Sequence, residues 1–379
     1  MKNTKSIIWY SCLIAILLLG IYGVVIQSIE GHAVTGINKQ VPWGVYIAAF
    51  TFFIGISTGS TIISFIIHVF NIEYLKPIEF KTITVSLVSL VGAVLFLIAD
   101  VGNPIRMMQV PIFMRNTSSV FFYSSLSYYL FGGLLVYQLV NYLKLMKTPN
   151  DEKIKRRARW LAIILFPLAM GIVLVPDGAL FSFVKAREFW NRPLLLPHFA
   201  NAAIVSAIAV IVVIAYISEK IEKVELLNFS SKMLIGYLLI FLIAGVLFLD
   251  LFDLLVLNYS EKPEGIEALK ALTSSHLVFF IVNIFGLILA LFIILSSKGK
   301  VFPKMFYAGI LITLAISAYR YNLIIIGQEL PLFEGQQVEH YFPTLIELFI
   351  CAGVTSFITL AYNILVGKLE NKSLLKKIV

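Results

Sequence analysis

Asp100 and Arg106 stand six positions apart in Asp100-Val101-Gly102-Asn103-Pro104-Ile105-Arg106, directly after an apolar run from Thr82 to Ala99. A carboxylate can take or give a proton, and a guanidinium can hold a polar group or set the charge state of a nearby acid. An acid at the end of a membrane helix, followed by a Gly and Pro turn and a base, can hold a polar ligand at the edge of a bilayer. Further ionisable residues fall at comparable places: Asp177 after Pro176, Asp250 and Asp253 near the end of an apolar run, Arg320 within one and Glu347 at the start of another. Such side chains cost roughly 2.5 to 3.5 kcal/mol each on insertion scales, so a set of this size asks for a reason. Mutual pairing, for example Arg320 with Asp253, is the structural reason, and a ligand site or proton route is the functional one.

The elements that must position these groups are membrane helices. The chain has 379 residues, of which 59% are hydrophobic and only 13% charged, and the mean hydropathy is +0.92. That composition is that of a polytopic membrane protein. Ten spans are expected, at about 7–28, 44–70, 82–100, 119–143, 160–181, 197–217, 233–257, 275–296, 304–326 and 345–366. Lys2 and Lys5 before the first apolar core give it the look of a signal peptide, but without a small-residue cleavage site it reads as a helix. The connections leave no room for a nucleotide-binding or iron–sulfur domain. Cys12 and Cys351 lie inside apolar segments, so neither a cluster site nor a disulfide framework is expected.

Counted on alternate sides of these spans, Lys and Arg number 21 on the side of the N-terminus and 9 on the other. The positive-inside rule then puts both termini in the cytoplasm of a bacterial or archaeal cell. The same count absorbs the formal charge of +9, so the run Lys153 to Arg159 reads as a stop signal and no nucleic-acid partner is implied. Asp100, Asp177, Asp250, Asp253, Arg320 and Glu347 then share outer-leaflet depth, and the inner halves of the spans hold no Asp or Glu expected in hydrocarbon.

Spans 2–5 and 6–9 run in the same order of directions, with repeated landmarks. Asp100 precedes Ser118-Ser119 as Asp253 precedes Ser274-Ser275, and Asp177 follows Trp160 by 17 positions as Arg320 follows Pro303. The expected fold is an all-α integral membrane domain over residues 1–379, with repeats at 44–181 and 197–326. Each repeat is a four-helix bundle, the two related by a pseudo-two-fold axis near the membrane normal, with one flanking helix at each end.

Three chemistries compete for the polar residues. Haem needs paired histidines; of His32, His68, His198, His276 and His340, only His198 and His276 begin spans on one side, and hydrogen bonding is the ordinary role for both. Ion transport would use acids at mid-membrane, whereas here they stop at one edge. The hydroxyls Ser57, Thr58, Ser60, Thr61 and Ser64 lead toward His68 and could line a proton route, although such hydroxyls usually bond their own backbone. Gly55 and Gly59 on the same helix favour close packing. A quinone site needs a hydrogen-bond partner at each oxygen, one of them able to take a proton, and an apolar slot. Asp100, Arg106, His198 and Tyr123 share the depth for that.

These residues resemble the NrfD-type family of quinone-interacting membrane subunits, named for the polysulfide reductase membrane subunit. The likeness runs through Pro42-Trp43-Gly44-Val45-Tyr46, Gly55 to Gly59, Asp100-Val101-Gly102 with Pro104 and Arg106, and Asn116-Thr117-Ser118-Ser119. It continues in Arg320-Tyr321-Asn322, Gly327-Gln328 and Tyr341-Phe342-Pro343-Thr344-Leu345-Ile346-Glu347. Ten spans resemble the longer branch of the family. The resemblance implies a subunit of a respiratory oxidoreductase complex, without metal, haem or iron–sulfur cluster of its own. It would exchange electrons between quinone or menaquinone and a ferredoxin-like iron–sulfur subunit on the outer face. A catalytic partner would follow: a molybdenum enzyme, a hydrogenase or a multihaem cytochrome. The quinone would lie in the first bundle, with Asp100 and Arg106 catalytic and Trp43 at the mouth of span 2; Tyr123 and His198 join them by depth alone. Asp177, Asp253, Arg320, Glu347 and His68 would form a proton route or a structural polar cluster.

Overall fold

The computed structural model describes residues 2–113, 120–172, 177–259, 262–297, 299–331, 333, 336 and 338–370. Among them the chain is helical and without strands, as a backbone in hydrocarbon must be when its N–H and C=O groups can be satisfied only within the segment. The helices are α1 (Lys2–Glu30), α2 (Val45–Val69), α3 (Lys76–Asp100), α4 (Pro104–Phe113), α5 (Val120–Lys147) and α6 (Glu152–Ile172). There follow α7 (Leu180–Ser182), α8 (Leu195–Glu222), α9 (Phe229–Tyr259), α10 (Pro263–Thr273), α11 (Leu277–Ser297), α12 (Phe302–Glu329) and α13 (Leu345–Glu370). Nine helices in the described residues are long and apolar enough to cross a membrane. The fourth expected span is α5, 28 residues long; it carries Tyr, Ser, Gln and Asn along its length and stands outside that nine.

Helices α2, α3, α5 and α6 pack in a ring, and so do α8, α9, α11 and α12. The rings meet where α2 lies against α8 and α12, and α1 pairs with α13 along α3. Small residues set the spacing. A Cβ on Gly20 would stand 2.5 Å from the Gly353 Cα, so α1 and α13 touch backbone to backbone. At the ring interface, the Cβ of any residue replacing Gly59 would overlap the Ala203 carbonyl, and one at Gly55 would lie 3.6 Å from the Ala203 Cα. Gly59→Val is therefore expected to force α2 and α8 apart and cost about 1–3 kcal/mol. A lower melting temperature of the purified chain in detergent checks this, and an unchanged one would mean that the helices are not so close.

The third span begins earlier than its hydropathy suggests. Pro77, in the first turn, starts α3 at Lys76, and this brings Glu79 and Lys81 into the buried part of the helix. The polar residues are thus not confined to one face, contrary to expectation. Glu79 forms an ion pair with His68, and Lys81 lies 3.6 Å from Glu222 at the end of α8. A hydropathy window scores these residues as a loop because it cannot see that each has a partner across the bundle.

Candidate functional site

At the face carrying Asp100, α3 ends with the Val101 N–H donating to the Leu97 carbonyl at 3.1 Å. The Asp100 carboxylate sits at this end, largely withdrawn from the surface, and its Oδ1 is buried with no hydrogen-bond partner. Buried carboxylate oxygens normally accept a hydrogen bond, so this one is open to a donor on a bound molecule. Around it the chain places groups from three other elements. Gln27 of α1 donates to the Ala99 carbonyl at 2.7 Å and accepts from the Tyr46 hydroxyl at 2.7 Å. Tyr46, on α2, lies within electrostatic reach of both Asp100 and Glu347. The His32 Nε2 stands 3.8 Å from where a Cβ on Gly102 would project, and its Nδ1 is without a partner. Gln27, His32 and Tyr46 were not among the expected site residues. Tyr46 lies in the Pro42 to Tyr46 motif, whereas Gln27 belongs to a helix read as a flank and His32 to the turn that follows it.

Glu347 is at this site and not in a cluster with Asp177, Asp253 and Arg320. It is fully buried and accepts from the Gly36 N–H at 2.9 Å, the Tyr341 hydroxyl at 2.8 Å and the Thr344 N–H at 2.8 Å. Thr344 in turn accepts from the Glu347 N–H at 3.3 Å, which makes Thr344 to Glu347 a capping box for α13. Burial, reinforced by the Glu347 carboxylate, pushes the Tyr341 phenol well above its ordinary range. It stays protonated, donating to Glu347 and accepting from the Val45 N–H at 2.9 Å. This bolt joins the starts of α2 and α13 beside Asp100.

Tyr123, Trp43, His198 and Asp253 are engaged elsewhere. Arg106 is in α4, but its side chain lies outside the described residues, as do residues 116–119. Tyr123 is on an exposed part of α5, edge-on to Phe122. Trp43 exchanges backbone hydrogen bonds with the Gln328 amide, both at 2.9 Å, and its ring stacks on Trp190 at 6.0 Å, so it ties the start of α2 to α12. His198 begins α8 in the other ring, 2.9 Å from Asp250, and Asp253 lies 3.4 Å from Arg192. His276 is 2.9 Å from Glu329, so each of the two histidines weighed as a haem pair faces a carboxylate of its own.

Arg320 does not pair with Asp253; its electrostatic partner is Asp177, in the π-helical turn 177–179 before α7. The guanidinium lies over the Phe199 ring at 3.5 Å and reaches toward Gly55, so Arg320 sits where the two rings meet, and both it and Asp177 are fully buried. Spacing along the chain cannot reveal which acid a buried arginine meets, since that depends on the rotation of helices about one another.

On the opposite face a polar column runs inside the first ring. Beyond His68 and Glu79, the Gln138 amide donates to Ser64 at 3.0 Å, and Thr61 and Ser86 share a hydrogen bond at 2.8 Å. Ser57 donates to the Ser86 carbonyl at 2.7 Å, Thr58 bonds its own helix, and Ser60 has no partner. No group of three or more His, Cys, Asp and Glu that could hold a metal occurs among the described residues.

Comparison with known proteins places this arrangement. An integral membrane subunit of an Hdr-like menaquinol oxidoreductase from Archaeoglobus fulgidus is 28% identical over 84% of this chain and 78% of its own. A selenate reductase subunit of Mesobacillus selenatarsenatis is 25% identical over 95% of this chain and 93% of its own. A putative dimethyl sulfoxide reductase membrane subunit of Halobacterium salinarum is 25% identical over 56% and 52%. The profile of the family described as Polysulphide reductase, NrfD matches residues 33–331, from the histidine-bearing turn after α1 through the end of α12, and the chain belongs to that family.

Proposed function

We propose that this chain is the membrane subunit of an oxidoreductase complex and exchanges electrons between menaquinone and an iron–sulfur partner docked on the face that carries Asp100. The Lys and Arg count supports that face as the outer one and both termini in the cytoplasm. The named function of the Archaeoglobus relative supports menaquinol as the quinone. The observation that carries the reading is the unpartnered, buried Asp100 Oδ1 beside His32 and the Tyr46–Gln27 relay. In quinol oxidation two electrons leave for the partner and two protons leave the hydroxyls. Asp100 accepts one of these, and His32, at the Gly102 turn, is a candidate base for the other. Gln27, bonded to the Ala99 carbonyl, fixes the end of α3, and Arg106 would hold the head group from α4. On this reading the two rings are repeats related by a pseudo-two-fold axis, and Asp177 with Arg320 is their structural joint.

A photoactivatable azido-menaquinone tests the placement in the purified complex. Crosslinks are expected in the peptides that hold Asp100 and His32, and they should be suppressed by excess menaquinol. Labelling confined to other subunits would sink the assignment. The polar column from His68 to Ser57 favours a second reading, proton movement between the faces, for which charge displacement during turnover in liposomes is the measurement.

A further inference from the structure

The second ring holds a set of buried polar groups that quinone chemistry at Asp100 does not use. They line a cavity of about 50 Å³ formed by Arg192 before α8, Asp250 and Asp253 of α9, Asn283 of α11, and Tyr319 and Asn322 of α12. All but Tyr319 are at least nine-tenths buried. Asp250 Oδ2, Asn283 Oδ1, Asn322 Oδ1, the Tyr319 hydroxyl and Arg192 Nε have no hydrogen-bond partner within the protein. So many orphans around one cavity mark an occupant, because buried polar atoms in folded proteins are almost always satisfied.

Chemistry and size define that occupant. The orphans include both acceptors and a donor, so it must donate and accept. Asp250 already faces His198 at 2.9 Å and Asp253 faces Arg192 at 3.4 Å, so each carboxylate has a protein partner. A buried water needs roughly 10–15 Å³ of such space, so the cavity takes about three or four waters and no ring-sized ligand. A second cavity of about 390 Å³ adjoins it, sharing Phe189, Arg192 and Leu257, and is also lined by Lys185, Asn191 and Lys262, which are exposed on the Asp100 face.

We propose that these cavities form an aqueous inlet that delivers protons from the solution on the Asp100 face to the His198–Asp250 pair. The pair is a proton-exchange site in the second ring, separate from the site at Asp100. Its surroundings suit a group that gains and loses a proton. Asp250 and Asp253 face it from α9 and Arg192 from the preceding loop, while α12 supplies Tyr319, stacked on the imidazole at 4.0 Å, and Arg320, within reach of Tyr319. From α11 it meets the neutral Asn283. The imidazole Nε2 meets Asp250 and its Nδ1 has no protein partner. A proton can therefore pass between ring and carboxylate through the hydrogen bond, with water as the carrier to solution.

Hydrogen–deuterium exchange at the imidazole C2, followed by mass spectrometry across a pH series, reads solvent access and titration of individual histidines in the full chain. In the wild type, His198 is expected to exchange within days although its side chain has no exposed surface. Leu257→Trp, which adds bulk at the wall the two cavities share, should slow His198 at least five-fold. Asn283→Leu, which dries the inner cavity, should do the same. The half-exposed His340 serves as the exchange reference, and monodisperse elution on size exclusion shows that each variant is folded. A wild-type His198 that does not exchange overturns the proposal, and so does exchange insensitive to both variants.

Discussion

Arg320→Met is expected to lose most of the folded chain from detergent-solubilised membranes, and adding Asp177→Asn to the same chain is expected to bring much of it back. Both Asp177 oxygens are buried without a hydrogen bond, and the cation within electrostatic reach is Arg320. Arg320 and Asp177 act on each other electrostatically without a direct ion-pair contact, so removing one leaves the other's buried charge uncompensated at a cost of up to about 3–5 kcal/mol, a large share of the roughly 5–15 kcal/mol that holds an ordinary domain together. Removing both charges is often close to neutral, because the desolvation penalty of each ion goes with it. Methionine approximates the arginine stem and keeps the packing on Phe199, although the guanidinium–ring attraction is lost. Monodisperse yield by size-exclusion chromatography and the thermal midpoint are the readouts. A double variant no better than Arg320→Met, or a single variant as stable as the wild type, would show that the two residues do not hold the rings together as a pair.

This joint also marks where sequence reasoning stops. Helices were legible because twenty or so apolar residues have one stable fate in a bilayer, and a close helix contact on α2 was legible because Gly55 and Gly59 leave room for a backbone, although its partner α8 was not. Asp100 stood out because a carboxylate at a helix end is rare and followed by a Gly and Pro turn. The partners of the buried charges were not legible. Asp253 meets Arg192 in a loop and Arg320 meets Asp177 from another ring, pairings fixed by helix rotation rather than spacing. The Glu79–His68 pair was hidden for a related reason, since hydropathy scores a residue alone and the pair cancels what each would cost. His198 shared a face with Asp100 but not a ring, and depth along the membrane normal carries no information about lateral position.

Asp100→Asn is expected to lower menaquinol-linked electron transfer in the assembled complex by about 100-fold or more, the range in which a positioned acid or base contributes. Asparagine keeps the size and one acceptor oxygen, so the end of α3, held by the Gln27 bond to the Ala99 carbonyl, should survive and the complex should still assemble. What it loses is the ability to take a proton as the quinol is oxidised. The control that separates chemistry from binding is the azido-menaquinone crosslink, which should persist in Asp100→Asn while turnover falls. Asp100→Glu should recover part of the rate, since it restores the carboxylate with one extra methylene. Tyr46→Phe should cause a smaller loss, because the Tyr46 hydroxyl bonds Gln27 rather than Asp100 and acts on the acid at one remove and through its field. Full electron transfer in a stably assembled Asp100→Asn complex would move the proton acceptor elsewhere. His32, whose Nδ1 has no partner, is then the next residue to neutralise, because it is the other titratable side chain at the Gly102 turn that could replace Asp100 without moving the quinone.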